Sequence, residues 1–213
     1  MELSKSYLQR VFYAFFPGES IEDFIVLDQG HINVSVKIQL QNTSFLLQKI
    51  NATVFRDIDT VCNTKFAIIS ALKKEIDYPV QYYFTTQYAK HFENWICCNF
   101  LDNSESYAFC PNIQIAHAAG VGLSVFTNAL KDIEVSYYPE IIPDFHAINI
   151  RFSDLQKAFD NCKSDHLISD TLPLLEELNS LKSHWYTLQT MIDEKRLSEN
   201  LTHNDSKLSN FLF

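Results

Sequence analysis

Near residue 102 the hydrophobic period of this chain changes from two to 3.6, and that change constrains the fold more than any other feature. Before it, Val34, Val36, Ile38 and Leu40 alternate with Ser35, Lys37 and Gln39, the pattern of a half-buried strand. The spacing predicts strands over 21–28, 33–40, 44–50, 80–88 and 95–101, with a tight hairpin at 29–32. Helices are expected at the N-terminus, where Leu8, Val11, Phe12 and Phe15 share a face and Pro17-Gly18 ends the run, and over 57–76. After it, helices are predicted over 111–130 and 152–162. A long one over 171–194 has Leu175, Leu178, Leu181, Trp185, Leu188 and Ile192 on one stripe. Strands first and helices second give an α+β chain with two lobes, residues 1–101 around a sheet and 102–213 helical, and exclude a doubly wound sheet.

Composition removes several function classes. Glycine numbers four, Gly18, Gly30, Gly120 and Gly122, too few and too scattered for G-x-G-x-x-G or a P-loop. Lys and Arg number 17 against 26 Asp and Glu, a net charge of −9. A protein that lives on nucleic acid needs clustered cations to displace counterions, so no nucleic-acid partner is expected. The five cysteines, Cys62, Cys97, Cys98, Cys110 and Cys162, have no C-x-x-C spacing. They read as reduced, buried thiols of a cytoplasmic protein rather than a disulfide frame or a zinc site. Cys97 and Cys98, being adjacent on a strand, point to opposite faces. No leader peptide is evident, and no run approaches the roughly 20 apolar residues that span a bilayer, so no membrane partner is expected.

Chemistry concentrates at the C-terminal end. His203, Asp205 and Asn210 stand in H-x-D-x-x-x-x-N, with Lys207 two residues after the Asp. This is the spacing of a kinase catalytic loop. The Asp accepts a proton from the attacking hydroxyl, and the Asn offers a carbonyl oxygen to magnesium on the nucleotide phosphates. The Lys offsets charge developing on the transferred phosphoryl group. The apolar residues 211–213 are expected to form a short strand that anchors the loop. On the strand over 44–50, alternation puts Phe45, Leu47 and Lys49 on one face and Leu46, Gln48 and Ile50 on the other. Lys49 is the cation that suits the α- and β-phosphates, with Gln48 as the alternative.

The run Thr202-His203-Asn204-Asp205-Ser206-Lys207-Leu208-Ser209-Asn210 resembles the T-H-N-D-x-K-x-x-N loop of the aminoglycoside phosphotransferase and choline kinase superfamily. Within it, the chain resembles the N-acetylhexosamine 1-kinases. Gly30-His31-Ile32-Asn33 is similar to their G-x-I-N loop over the nucleotide, and Leu47-Gln48-Lys49-Ile50-Asn51 with Val54-Phe55 to their L-Q-R-I-N-x-x-V-F. Trp95, Asn99 and Phe100-Leu101-Asp102 resemble W-x-x-x-N-Y-I-E, and Ile142-Pro143-Asp144-Phe145-His146 resembles I-P-x-F-H. The likeness runs from about residue 24 to the last residue.

The resemblance implies a two-lobed protein-kinase-like fold, with an antiparallel sheet lobe and a helical lobe only partly present. It implies ATP and Mg2+ as cofactors, and phosphoryl transfer to the anomeric hydroxyl of an N-acetylhexosamine, giving a sugar 1-phosphate. The partners are then nucleotide and a small-molecule sugar. Asp205 would be the base, Lys207 the charge stabiliser and Asn210 the metal ligand, while His203 supports the loop as a buried, hydrogen-bonded side chain. Gly30 would lie over the phosphates at the hairpin tip, and Asn99 to Asp102 would form the linker beside the adenine. Asp144 and His146 would touch the sugar, or Asp144 would cap the next helix. Choline, aminoglycoside or homoserine remain alternative acceptors, and a non-catalytic, decayed fragment the alternative of another class. The chain departs from the family in ending three residues after Asn210, before the second metal-binding Asp and the helices that complete the acceptor pocket. It is therefore expected to be inactive alone, with bare apolar stripes on helices 111–130 and 171–194.

Overall fold

The computed structural model describes residues 3–27, 32–75 and 81–213. Ser4 starts the first helix, α1 (Lys5–Phe15), by accepting the Tyr7 N–H on its hydroxyl at 3.2 Å. The chain leaves α1 through Gly18 at φ +95°, a conformation that glycine adopts without a Cβ penalty. Strands β1 (Asp23–Leu27), β2 (Val34–Gln39) and β3 (Ser44–Lys49) follow, then α2 (Ile58–Glu75), β4 (Tyr83–Phe84) and β5 (Trp95–Asn99). They form one antiparallel five-stranded sheet in the order β1-β2-β3-β5-β4. The helices are α3 (Ile113–Leu130), α4 (Ile148–Asp160), α5 (Asp165–Ser180) and α6 (Lys182–Asp193), with 3-10 turns at Val135–Tyr137 and Leu208–Asn210. The α+β class expected from the period change is the class observed.

Both sheet faces are covered, by different helices. Leu8, Val11, Phe12 and Phe15 of α1 pack with Val36, Ile38, Leu47, Trp95 and Cys97, all buried. Phe12, Phe16, Phe45 and Phe84 add a ring cluster on that face, with centroids 4.7 to 5.4 Å apart. On the opposite face Ile58 and Cys62 of α2 meet Ile50 and Ile96, with Phe55 and Tyr83 alongside. Cys97 and Cys98 do point to opposite faces, and both are buried. Burial pushes the Cys98 thiol up to about 12 and the Cys62 thiol up to about 11. Cys110, by contrast, is exposed, so burial does not extend to all five.

The structure corrects several boundaries. Among the described residues of the run expected over 80–88, only Tyr83–Phe84 is strand. The helix expected from 152 begins at Ile148, where the Ala147 carbonyl accepts the Arg151 N–H at 3.0 Å. The single helix expected over 171–194 is two, broken at Leu181. There the Ser180 hydroxyl donates to the Glu177 carbonyl at 2.7 Å, competing with the backbone ladder. Because Leu181 keeps near-helical angles (φ −88°, ψ −3°), the hydrophobic period runs through the break. The strand expected over 21–28 and the hairpin tip, with Gly30, extend into residues outside the described ones. Helix α3 is long and apolar enough by composition to cross a membrane, against the sequence expectation; here it packs on α2.

The chain divides into two compact units, residues 1–141 with 200–213, and residues 142–199. Within the second, α6 packs on α4 and α5.

Candidate functional site

The C-terminal loop is shaped by a short set of local contacts. Leu201 and Thr202 lead to Asn204, which takes a left-handed conformation (φ 60°), one that asparagine tolerates better than most residues. The Thr202 hydroxyl donates to the Asn204 side-chain oxygen. That turn presents the next residue, Asp205, to solvent. The 3-10 turn at Leu208–Asn210 then brings Asn210 back: its Nδ2 donates to the Asp205 carbonyl at 2.7 Å and to Asp205 Oδ2 at 2.9 Å. Lys207 Nζ lies 3.4 Å from the same Oδ2. Asp205, Lys207 and Asn210 are thus gathered on one carboxylate, with Oδ2 engaged twice.

The loop is fixed to the rest of its unit at two places. Phe213 exchanges both backbone hydrogen bonds with Glu105, at 2.9 and 3.1 Å, and its ring lies 5.6 Å from that of Tyr107. Phe211 packs over Gly122 of α3, its ring 3.8 Å from where a Cβ would stand. Residues 211–213 anchor the loop as expected, but through this two-bond pairing rather than a strand. His203 is exposed and meets the Phe126 ring of α3 edge-on at 6.2 Å. The buried, hydrogen-bonded histidine of the sequence expectation is not observed; an aromatic contact holds the ring instead.

Helix α3 touches Phe211 and His203 and packs on α2, the helix over one sheet face, whereas α1 covers the other face. Register then separates the two candidates on β3. Gln48 pairs with Ile96, on the α2 face, and its Nε2 donates to the Ser35 hydroxyl at 3.3 Å. Lys49 pairs with Trp95, on the α1 face, and its Nζ lies 5.8 Å from the Trp95 ring centroid. Sequence reasoning passed over Lys37, the cation that does share the Gln48 face. It stands opposite Leu46, the neighbour of Gln48 two residues back. Its Nζ is 2.8 Å from Asp102 Oδ1 and 4.2 Å above the Phe100 ring. The signal was present in the strict alternation of β2, which puts Ser35 and Lys37 on one face.

The remaining candidates are placed as follows. Asn99 ends β5 with its amide occupied: Oδ1 accepts the Tyr82 N–H at 2.7 Å and holds the short strand β4. Asp144 and His146 belong to the second unit. Asp144 sits at φ 57° with its carbonyl accepting the Ala147 N–H, and the His146 ring lies edge-on to Phe145 at 4.6 Å. The N-cap residue of α4 is Ala147, whose side chain makes no capping bond. For a magnesium ion, the loop offers the Asn210 carbonyl oxygen and the Asp205 carboxylate. Among the described residues no three His, Cys, Asp or Glu side chains cluster as ligands. Magnesium takes six oxygens, usually one or two carboxylates with substrate phosphates and waters, so these two groups would supply part of its shell beside a bound nucleotide.

No family model matches the sequence. Among solved structures the chain is similar to the GDP and kanamycin complex of APH(2″)-IIIa, with 16% identity and a TM-score of 0.62, covering 97% of this chain and 66% of that one. It is also similar to the GDP complex of wild-type aminoglycoside 2′-phosphotransferase-IIIa, at 15% identity and TM-score 0.62, covering 99% of this chain and 67% of that one. A third, spectinomycin phosphotransferase APH(9)-Ia in complex with ADP and spectinomycin, matches at 13% identity and TM-score 0.56, covering all of this chain and 66% of that one. The chain spans about two thirds of the length of these structures. Its fold is the kinase-like fold of the aminoglycoside phosphotransferases, present in part.

Proposed function

We propose that the chain serves ATP-dependent phosphoryl transfer to the hydroxyl of a small molecule. The observation that carries this reading is the convergence of Lys207 and Asn210 on the Asp205 carboxylate, at the end of a chain whose fold is that of nucleotide-bound phosphotransferases. Asp205 takes the proton of the acceptor hydroxyl. The freed oxygen lone pair forms the new bond to the γ-phosphorus, and the bond to the bridging oxygen breaks, leaving ADP. Lys207 offsets charge on the phosphoryl oxygens. His203 holds the loop against α3. On the sheet, Gln48 and Lys37 supply the face toward the nucleotide, Gly30 covers its phosphates, and the linker from Asn99 to Asp102 passes beside the base.

The acceptor we assign is the anomeric hydroxyl of an N-acetylhexosamine. This rests on the L-Q-K-I-N and I-P-D-F-H segments. A second reading is a nucleotide-binding chain without transferase activity, and the transfer assay below separates the two.

The test is a titration with ATP and ADP, followed by labelled-phosphate transfer to N-acetylglucosamine and N-acetylgalactosamine beside kanamycin, choline and homoserine. Nucleotide binding weakened by Asn210→Ala supports the reading. Absence of nucleotide binding refutes it. Transfer to a hexosamine by this chain alone would uphold the reaction and overturn the expected inactivity. Preference for a cationic acceptor would overturn the sugar.

A further inference from the structure

In the second unit, α4, α5 and α6 enclose an open groove of about 320 Å³, a volume within the range of small-molecule sites. Its floor is Leu175, the buried residue of α5. One wall is an aromatic pair: the Phe152 ring of α4 and the Tyr186 ring of α6 stack at 6.1 Å with planes 25° apart. The Lys182 ammonium hangs over both, 6.0 and 5.7 Å from their centroids, and among the described residues no carboxylate lies within ion-pair distance of it. Lys157 supplies a second ammonium on the rim; its nearest carboxylate, Asp154, is 4.0 Å away and outside the lining. Gln156 and Asn179 add amides that both donate and accept.

No Asp or Glu lines the groove, although acidic residues outnumber basic ones in this chain by 26 to 17. A concave site with two ammoniums and no acid attracts an anion and repels a cation. Stacked ring edges with amides around them suit a hydroxylated carbon skeleton, whose C–H faces lie on aromatic surface while its hydroxyls reach the amides. We propose that this groove binds a small hydroxylated anion, of the class of monosaccharide phosphates and sugar acids. Its anionic group sits between Lys157 and Lys182, and its carbon skeleton lies on Phe152 and Tyr186. The proposal uses only residues of the second unit and is independent of phosphoryl transfer.

The experiment is calorimetric or NMR titration of the full chain, without nucleotide or metal, with four probes: glucose 6-phosphate, gluconate, glucose and inorganic phosphate. Glucose 6-phosphate is expected to bind more tightly than both glucose and inorganic phosphate. Lys182→Gln is expected to weaken it by on the order of tenfold, and Lys157→Gln to weaken it further. Lys163→Gln, outside the groove, serves as the charge control and leaves binding unchanged. Tighter binding of gluconate than of the phosphate ester identifies a carboxylate ligand within the same class. Equal binding of glucose overturns the anion requirement. Equal binding of inorganic phosphate overturns the role of the rings. Failure of both organic anions to bind, or equal loss with Lys163→Gln, overturns the site.

Discussion

Lys49 and Gln48 are neighbours on β3, and exchanging each in turn separates the two faces of the sheet. In Lys49→Met the ammonium over the Trp95 ring is lost and the alkyl stem is kept. A cation over an aromatic ring at a half-exposed position contributes about 0.5–1 kcal/mol, so the melting temperature should fall by about 1–4 °C for a chain of this size. Nucleotide affinity should change by less than about threefold, since the side chain shares its face with α1. A lysine donating to a phosphate would behave differently: a hydrogen bond to a charged group is worth about 1.5–3 kcal/mol, or about 10- to 150-fold in affinity. Gln48→Leu removes the amide beside Ser35 on the α2 face and should weaken nucleotide binding by about fivefold or more. The assay is calorimetric titration with ADP beside thermal melts of both variants. A tenfold loss of affinity in Lys49→Met with an unchanged melting temperature would refute the assignment of faces.

Four further outcomes are expected. Leu47→Ala opens a cavity at a fully buried position between α1 and β5; urea titration should show a loss of about 2–5 kcal/mol, and a loss below about 1 kcal/mol would contradict the packing. Glu93, held below the usual carboxylate range by its hydrogen bonds from Arg10 at 2.6 and 2.9 Å, stabilises above its unfolded pKa and ceases to as pH falls through its lowered folded one. The melting-temperature gap between wild type and Glu93→Gln should therefore be full at neutral pH and close in acid, and a gap that persists there argues against the pair. With a thiol reagent at pH 8, exposed Cys110 should react first, while Cys62, Cys97 and Cys98 stay protected until unfolding. Asn210→Ala removes the Asp205 contacts and the carbonyl donor together; the benefit that magnesium gives to ATP binding should shrink, with binding in EDTA unchanged.

Much of this was legible in the chain. Alternation in β2 and β3 specified which residues share a face, because a one-residue slip would expose Val36, Ile38 and Leu47 together. The H-x-D-x-x-x-x-N spacing located residues that do come together, since a short loop with one turn constrains its own ends. Other features depended on distance along the chain. Nothing local in Lys37 indicates an ion pair with Asp102, 65 residues on. Periodicity passed through Leu181 because a near-helical residue can turn the axis without breaking the pattern. His203 was expected inside because histidines in loops need partners, yet the partner it has is the face of a helix more than seventy residues back in the chain.

The pairing of Glu105 with Phe213 gives the loop a mechanical tether. Lys37 grips the same connecting stretch at Asp102, three residues before that pairing. A shift of the connector therefore pulls on the sheet through one end and on Asp205 through the other. A substitution at Glu105 or Tyr107, neither of which contacts the acid, would be felt there as a change of reach.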